Sequence, residues 1–291
     1  MAVALSAALA LRAIAAEPTT RPAASQPAGR LAEECARRVA WLTDKGAGRL
    51  AVINDPPFVL AGDMKAPQLE QYRRHTVRRA AAALWKKYFD ARPDRTITIL
   101  LFANAESYQH YAAYLLGDKD LPHFGYARHA DRTLVMNIGT GGGTLVHELV
   151  HALIAFDFPE VPDWFNEGLA SLYEQCWLPA DGNIVGRVNW RLPALKQAIT
   201  RKTLRPLRDL VTKDDFRTHH EGLNYAQARY LCMHMQQRGC LVSFYKRFRQ
   251  RRKADPTGVA CLQEAFGGRS VEDIEKDFLA WVMTLEYPPK E

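Results

Sequence analysis

Two histidines four residues apart with a glutamate between them, His147, Glu148 and His151, lie in the run T-L-V-H-E-L-V-H-A-L-I-A-F. Such residues bind a divalent cation and work a water molecule. At about 100° per residue, positions i and i+4 lie one turn apart on one face of a helix, so both imidazoles can reach a single ion. Glu148 falls beside them, within reach of a water on that ion. The run is otherwise apolar nearly all round, which predicts a buried helix. A buried polar side chain without a partner costs roughly a few kcal/mol, and a metal supplies the partner. A lone histidine here would read as a hydrogen-bonded core residue; the pair with Glu148 reads as a metal site.

A third ligand is expected after His151 with fifteen residues between, in V-P-D-W-F-N-E-G-L-A-S. Pro162 and Asp163 mark a helix start, and Glu167 falls within its first turns. A chain that leaves one helix, turns and re-enters a second brings Glu167 back to the ion, with Gly168 expected to let the two helices pack closely. Trp164 and Phe165 tie the same turn to the core. The alternative for Glu167 is an exposed helix carboxylate. The expectation is therefore one zinc per chain, held by His147, His151 and Glu167, with Glu148 as general base.

In HELVHAL followed by PDWFNEGLAS the chain resembles the gluzincin clan of zinc metallopeptidases, particularly the peptidase MA-like families. The resemblance is strongest over residues 122 to 178, extends more weakly through NYAQARYL and the C-terminal helices, and does not reach the first fifty residues. It implies a zincin-like fold. WFNEGLAS is also similar to the WLNEGFA segment of zinc aminopeptidases, but their GxMEN segment is absent, so aminopeptidase activity is not implied. The metzincin pattern HExxHxxGxxH would offer Asp157 as a rival ligand, yet its glycine position is Ile154, which does not let the helix turn back. In the thermolysin pattern an aspartate four residues after the ligand glutamate supports a ligand histidine; here that residue is Ser171. By the same resemblance Tyr225, in L-N-Y-A-Q-A-R-Y-L, is a candidate oxyanion donor, with aromatic packing as its alternative. His219 and His220 are weaker candidates for that task, or part of a solvated loop.

The expected chemistry is hydrolysis of a peptide bond, with a peptide or protein as substrate. The strand FGYAR or its partner LVMNI is a candidate surface for an extended substrate. Its rivals are a zincin-fold binding protein without turnover and a cell-envelope assembly factor. Intact Glu148 argues against the first, because a structural metal site needs no base; zinc content with no cleavage of any unfolded protein would mark the second.

Around these residues the sequence predicts an α+β N-terminal part and an all-helical C-terminal part, with a substrate cleft between them. LAVINDPPFVLAGD reads as one or two strands, Asp63 caps a long helical stretch from residue 64 to 91, and TITILLF returns to a strand at 96 to 102. A helix follows at 105 to 116, then a hairpin in FGYARHADRTLVMNI turning at Ala130 and Asp131, then the run GTGGG. After Pro162 helical periodicity recurs near 163 to 178, 192 to 199, 222 to 238, 240 to 252, 256 to 266 and 270 to 285. The expected division is 1 to 29 as a signal-like segment and linker, then one peptidase domain over 30 to 291, its subdomains meeting at 156 to 157.

The chain of 291 residues, 47% hydrophobic and 24% charged, has ordinary globular composition and can bury a sizeable core. Its formal charge of +7 lies largely in helix-like stretches, Arg73 to Arg79 and Lys246 to Lys253. These read as solvated helix faces rather than a nucleic-acid surface. The first sixteen residues, MAVALSAALALRAIAA, resemble an export signal and predict a periplasmic or secreted protein, and no later run is apolar enough to span a membrane. Cys35, Cys176, Cys232, Cys240 and Cys261 form no CxxC pair and read as small buried residues rather than ligands.

Overall fold

The structure, a computed structural model, describes residues 27–288. The signal-like segment and linker lie almost wholly outside the described residues. Twelve α-helices and seven strands follow one another among the described residues. Helix α1 (Pro27–Gly46) leads into β1 (Ala51–Asp55) and β2 (Phe58–Gly62), the two strands of LAVINDPPFVLAGD. Helices α2 (Ala66–Gln71) and α3 (Arg78–Lys87) are joined without a break by a π-helical stretch, Tyr72–Val77, and β3 (Ile97–Phe102) follows. Next come α4 (Ala105–Leu116), β4 (Gly125–Arg128), β5 (Thr133–Asn137), α5 (Gly143–Asp157) and α6 (Asp163–Glu174).

Asp63 is not the cap of the long helix, which starts at Ala66 after Lys65; its Oδ1 instead accepts the Ala103 N–H at 2.8 Å. Helix α1 has no counterpart among the sequence expectations.

The five strands form one mixed sheet in the order β1-β2-β3-β5-β4. Strands β2, β3 and β5 run parallel, whereas β1 and β4 pair antiparallel at the two edges. The inner strands FVLAG, ITILLF and TLVMN are buried along their whole length, as continuous apolar runs in a covered parallel sheet must be. Alternation then divides the core. Leu60, Ile99, Leu101, Leu134 and Met136 face the side occupied by α3, α5 and α6, while Ala61, Leu100, Phe102 and Val135 pack with Cys35 and Leu42 of α1 and Tyr108 of α4.

The C-terminal part is helical but not all-helical. A short hairpin of β6 (Cys176–Trp177) and β7 (Val185–Gly186) follows α6, against the expectation of no strand there. Two-residue strands show no alternation for a sequence pattern to register. Helices α7 (Leu192–Thr200), α8 (Leu207–Thr212), α9 (Glu221–Gln237), α10 (Leu241–Arg251), α11 (Val259–Ala265) and α12 (Val271–Thr284) complete the fold. The short α8 is missing from the sequence expectations. One core runs through both parts of the chain, joining Leu149 and Leu153 of α5 to Phe165 of α6 and Phe244 of α10.

Gly168 works differently from expectation. A Cβ there would lie 2.9 Å from Ala228 O and from Cys232 Sγ, so it admits α9, not α5, against α6. The close approach of α5 to α6 falls at Gly143, where a Cβ would be 2.5 Å from Glu174 O. Both basic stretches are largely engaged within the chain: Arg73 and Arg78 pair with Asp55, Lys246 and Arg249 with Asp90, and Arg251 with Glu264. All five cysteines are free thiols, three of them buried. No helix among the described residues is long and apolar enough to cross a membrane.

Candidate metal centre

Helix α5 places His147 and His151 one turn apart, and their Nε2 atoms lie 3.0 Å from each other. Helix α6 returns Glu167 to the same point, with Oε2 3.4 Å from each Nε2. Trp164 and Phe165 fix that return: both are buried, Trp164 stacks on Phe248 at 6.4 Å and Phe165 meets Phe244 edge-on at 5.0 Å. The Trp164 indole N–H also donates to Thr257 O at 2.9 Å. The turn that carries Glu167 therefore cannot move without disturbing the aromatic core.

Three observations fit this trio to a metal ion. First, a tetrahedral ion with ligand bonds of about 2.0–2.1 Å needs ligand atoms about 3.3 Å apart, and the three separations are 3.0, 3.4 and 3.4 Å. Second, the Glu167 side chain is only 3% exposed and its Oε2 has no hydrogen-bond partner among the described residues. A buried carboxylate oxygen left so is costly unless a cation faces it. Third, His151 Nδ1 lies 2.9 Å from Asn166 Oδ1. An amide oxygen only accepts, so Nδ1 carries the proton and the lone pair of Nε2 points at the cluster. A divalent cation suits this nitrogen and oxygen donor set.

The electrostatics agree. Burial alone would raise the Glu167 pKa, but the imidazoles of His147 and His151 outweigh it and hold the carboxylate well below its usual range. Burial would lower the pKa of His151, yet the Glu167 carboxylate reverses that and raises it. In each case opposite charge beats desolvation, the balance found where a cation or proton belongs.

Glu148 is half-buried and lines the same cavity, of about 220 Å³, but is not one of the converging ligand atoms. Tyr225 of α9 lines it too. Its phenol pKa is raised, first by burial and then by the Glu167 carboxylate. The other wall is the edge strand β4, through Gly125, Tyr126 and Ala127, so the cavity lies between the α+β and helical parts. His219 and His220 are exposed in the turn before α9 and do not line it.

Two contributors carry no sequence signal of their own. Asn166 is one; the other is Arg217, in the loop between α8 and α9. Its guanidinium donates to Glu167 Oε1 at 2.5 Å, to the Tyr225 hydroxyl at 3.1 Å and to Asp163 Oδ2 at 3.1 Å. The two oxygens of Glu167 are thus divided, Oε1 held by Arg217 and Oε2 turned to the histidines. Ser171 is buried and its hydroxyl has no partner among the described residues, so it gives the histidines no support.

Asp157 does not approach the trio. Its Oδ1 accepts the N–H groups of Asp90 and Ala91 at 2.8 and 2.7 Å and an Arg249 N–H at 2.5 Å, while Oδ2 accepts the Tyr245 hydroxyl at 2.6 Å. It ties the end of α5 to α10 and to the segment after α3.

No protein-family model matches the chain, and no curated protein shows significant similarity to it.

Proposed function

We propose that the protein is a zinc-dependent peptidase with a gluzincin-type site on a zincin-like fold, in which His147, His151 and Glu167 hold one zinc and Glu148 is the general base. The observation that carries this reading is the orphaned Oε2 of Glu167 facing both Nε2 atoms, with Glu148 in the same cavity. Zinc in a site of two imidazoles and one carboxylate supplies a Lewis acid and lowers the pKa of a water toward about 7.

The remaining work falls to the chain. Glu148, one residue from a ligand and outside the ligand set, takes the proton of the attacking water and delivers it to the leaving amine nitrogen. Asn166 keeps His151 in the tautomer that presents Nε2. Arg217 holds Oε1 of Glu167 and so leaves Oε2 as the single ligating oxygen. The Tyr225 hydroxyl, at the cavity wall, donates to the oxygen on which negative charge develops. Strand β4 is paired on one side only, so its outer N–H and C=O groups can receive an extended substrate as an added strand.

The test is Glu148→Gln, which keeps shape and removes the base. The variant is expected to fold, to retain one zinc as tightly as the parent, and to lose about 10² to 10⁴ in rate on peptides the parent cleaves. Parental rate in the variant would sink the mechanism. Loss of zinc would make Glu148 a ligand and reopen the assignment of Glu167.

A further inference from the structure

Helix α5 carries more than the ligands on its cavity face. Positions spaced by four, Gly143, His147, His151 and Ala155, fall in one row, with Thr144, Glu148, Ala152 and Phe156 beside them. Three cavities follow this face in chain order. The first, about 720 Å³, has Thr144, Val146, Phe124 and Trp190 in its lining. The second, about 220 Å³, holds the histidines and Glu148. The third, about 270 Å³, is lined by Leu134, Ala152, Ala155 and Phe156. The segment 124–128, which runs into β4, passes them in the same order, Phe124 at the first, Gly125 and Tyr126 at the second, Arg128 at the third.

The second and third cavities share Ala127, His129 and His151 in their linings, so they adjoin. Ala152, half-buried, and Ala155, exposed at the rim, both line the third, and a longer side chain at either position is expected to narrow it. Its lining is chemically mixed in a defined way. The floor is apolar, while Arg128 and Arg132 stand in the wall. Both guanidiniums are already matched by carboxylates, Arg128 by Asp118 at 2.6 Å and Arg132 by Glu34 at 3.1 Å, so they hold their places.

We propose that this third cavity is a specificity pocket which takes one uncharged apolar side chain of an extended peptide segment, within about two residues of the reacting bond. One helical turn of α5 rises about 5.4 Å, and an extended chain covers that in about two residues. The segment continues past the metal site toward the larger cavity at Phe124 and Trp190, so the substrate is engaged on both sides of the bond and cut internally. Lysine and arginine are disfavoured because the lining offers an ammonium no carboxylate: Asp118 and Glu34 are taken up by Arg128 and Arg132. The inference rests on the peptidase reading for the bond that is cut, but not for the binding.

Two measurements test it. A proteome-derived peptide library is digested by the zinc-loaded full chain and by its Ala155→Leu variant, with Ala152→Leu as the second filled-pocket variant. The parent is expected to enrich leucine, methionine and phenylalanine at one position near the cut and to deplete lysine and arginine there. The filled variants are expected to keep zinc and to lose that preference by about tenfold or more, in favour of glycine and alanine. Unchanged preference in both variants overturns the pocket and leaves the peptidase reading standing. Separately, fluorescence anisotropy follows a labelled ten-residue peptide containing leucine, and its lysine counterpart, on zinc-loaded Glu148→Gln with and without Ala155→Leu. Tighter binding of the leucine peptide that Ala155→Leu weakens about tenfold supports the pocket even where the parent cuts nothing, an outcome that ends the peptidase reading alone. Equal binding of the two peptides, or no binding of either, overturns the pocket.

Discussion

Asn166 accepts a 2.9 Å hydrogen bond from Nδ1 of His151, and its chain neighbour Glu167 faces the other nitrogen of the same ring at 3.4 Å. Two consecutive residues of α6 therefore grip one imidazole from opposite edges. Asn166→Ala leaves every ligand in place but frees the tautomer and the ring orientation. Zinc affinity, measured by competition with a chelator, is expected to fall about 10- to 100-fold, the usual effect of losing such an outer partner. An unchanged affinity would reduce Asn166 to a helix surface residue.

Asp157 separates structure from chemistry. With four donors on a carboxylate of zero side-chain exposure, Asp157→Ala strands two half-buried N–H groups, the Arg249 guanidinium and the buried Tyr245 hydroxyl. Denaturant unfolding should show a loss of about 3–5 kcal/mol, while the folded fraction binds zinc as the parent does. Asp157→Asn keeps an acceptor for the N–H groups and offers an N–H to the Tyr245 oxygen, so it should cost clearly less. A loss of zinc by folded Asp157→Asn would bring the aspartate back as a ligand.

The sequence carries the trio that could hold a metal because its geometry is local twice over: i, i+4 on one helix, and a carboxylate in the first turns of the next. The strands at 97–102 and 133–137 are legible for a similar reason, as apolar runs bounded by turns. Arg217 is not legible, since it stands in an irregular loop fifty residues from Glu167 and meets it only through the packing of α6 on α9. Gly168 shows the same limit from the other side: a small residue announces a close approach, and the fold alone decides which helix makes it. The β6-β7 hairpin and the short α8 offer too few residues for a period to emerge.

His234 of α9 supplies a pH dependence unconnected with the metal. It is buried among Phe266, Phe278 and Trp281, with ring centroids at 5.5, 6.2 and 4.6 Å. Neither ring nitrogen has a hydrogen-bond partner among the described residues. Burial, aided by the nearby Arg238, pushes its pKa down to about 4. The unfolded chain, with an ordinary value of about 6.5, binds the proton first as pH falls. Stability from this residue is thus complete above about pH 6.5, declines as pH falls toward about 4 and changes no further below that, a loss on the order of 3 kcal/mol. His234→Phe keeps the aromatic packing and removes the titration. The difference in unfolding free energy between parent and variant should therefore change between pH 7 and pH 4 against the parent; a pH-independent difference would mean that the ring is hydrated.

Arg217 and Tyr225 meet at 3.1 Å beside the ligand carboxylate, and each can be removed without removing the other. Tyr225→Phe takes away a hydroxyl whose proposed use is in the transition state. Zinc content and KM should hold while kcat falls about 10- to 10³-fold. Arg217→Met keeps the length of the side chain and removes all three donated bonds, so Oε1 of Glu167 loses its anchor and Tyr225 its donor. That variant is expected to bind zinc more weakly as well as to turn over more slowly, and Arg217→Lys should restore only part, since an ammonium cannot span three acceptors as the planar fork does. The double variant decides how the two act. If Arg217 works on catalysis through the tyrosine, the losses in kcat at saturating zinc are not additive and the cycle leaves a coupling of about 1 kcal/mol or more. Additive losses would confine Arg217 to the carboxylate and leave the orientation of Tyr225 to its packing on Phe216.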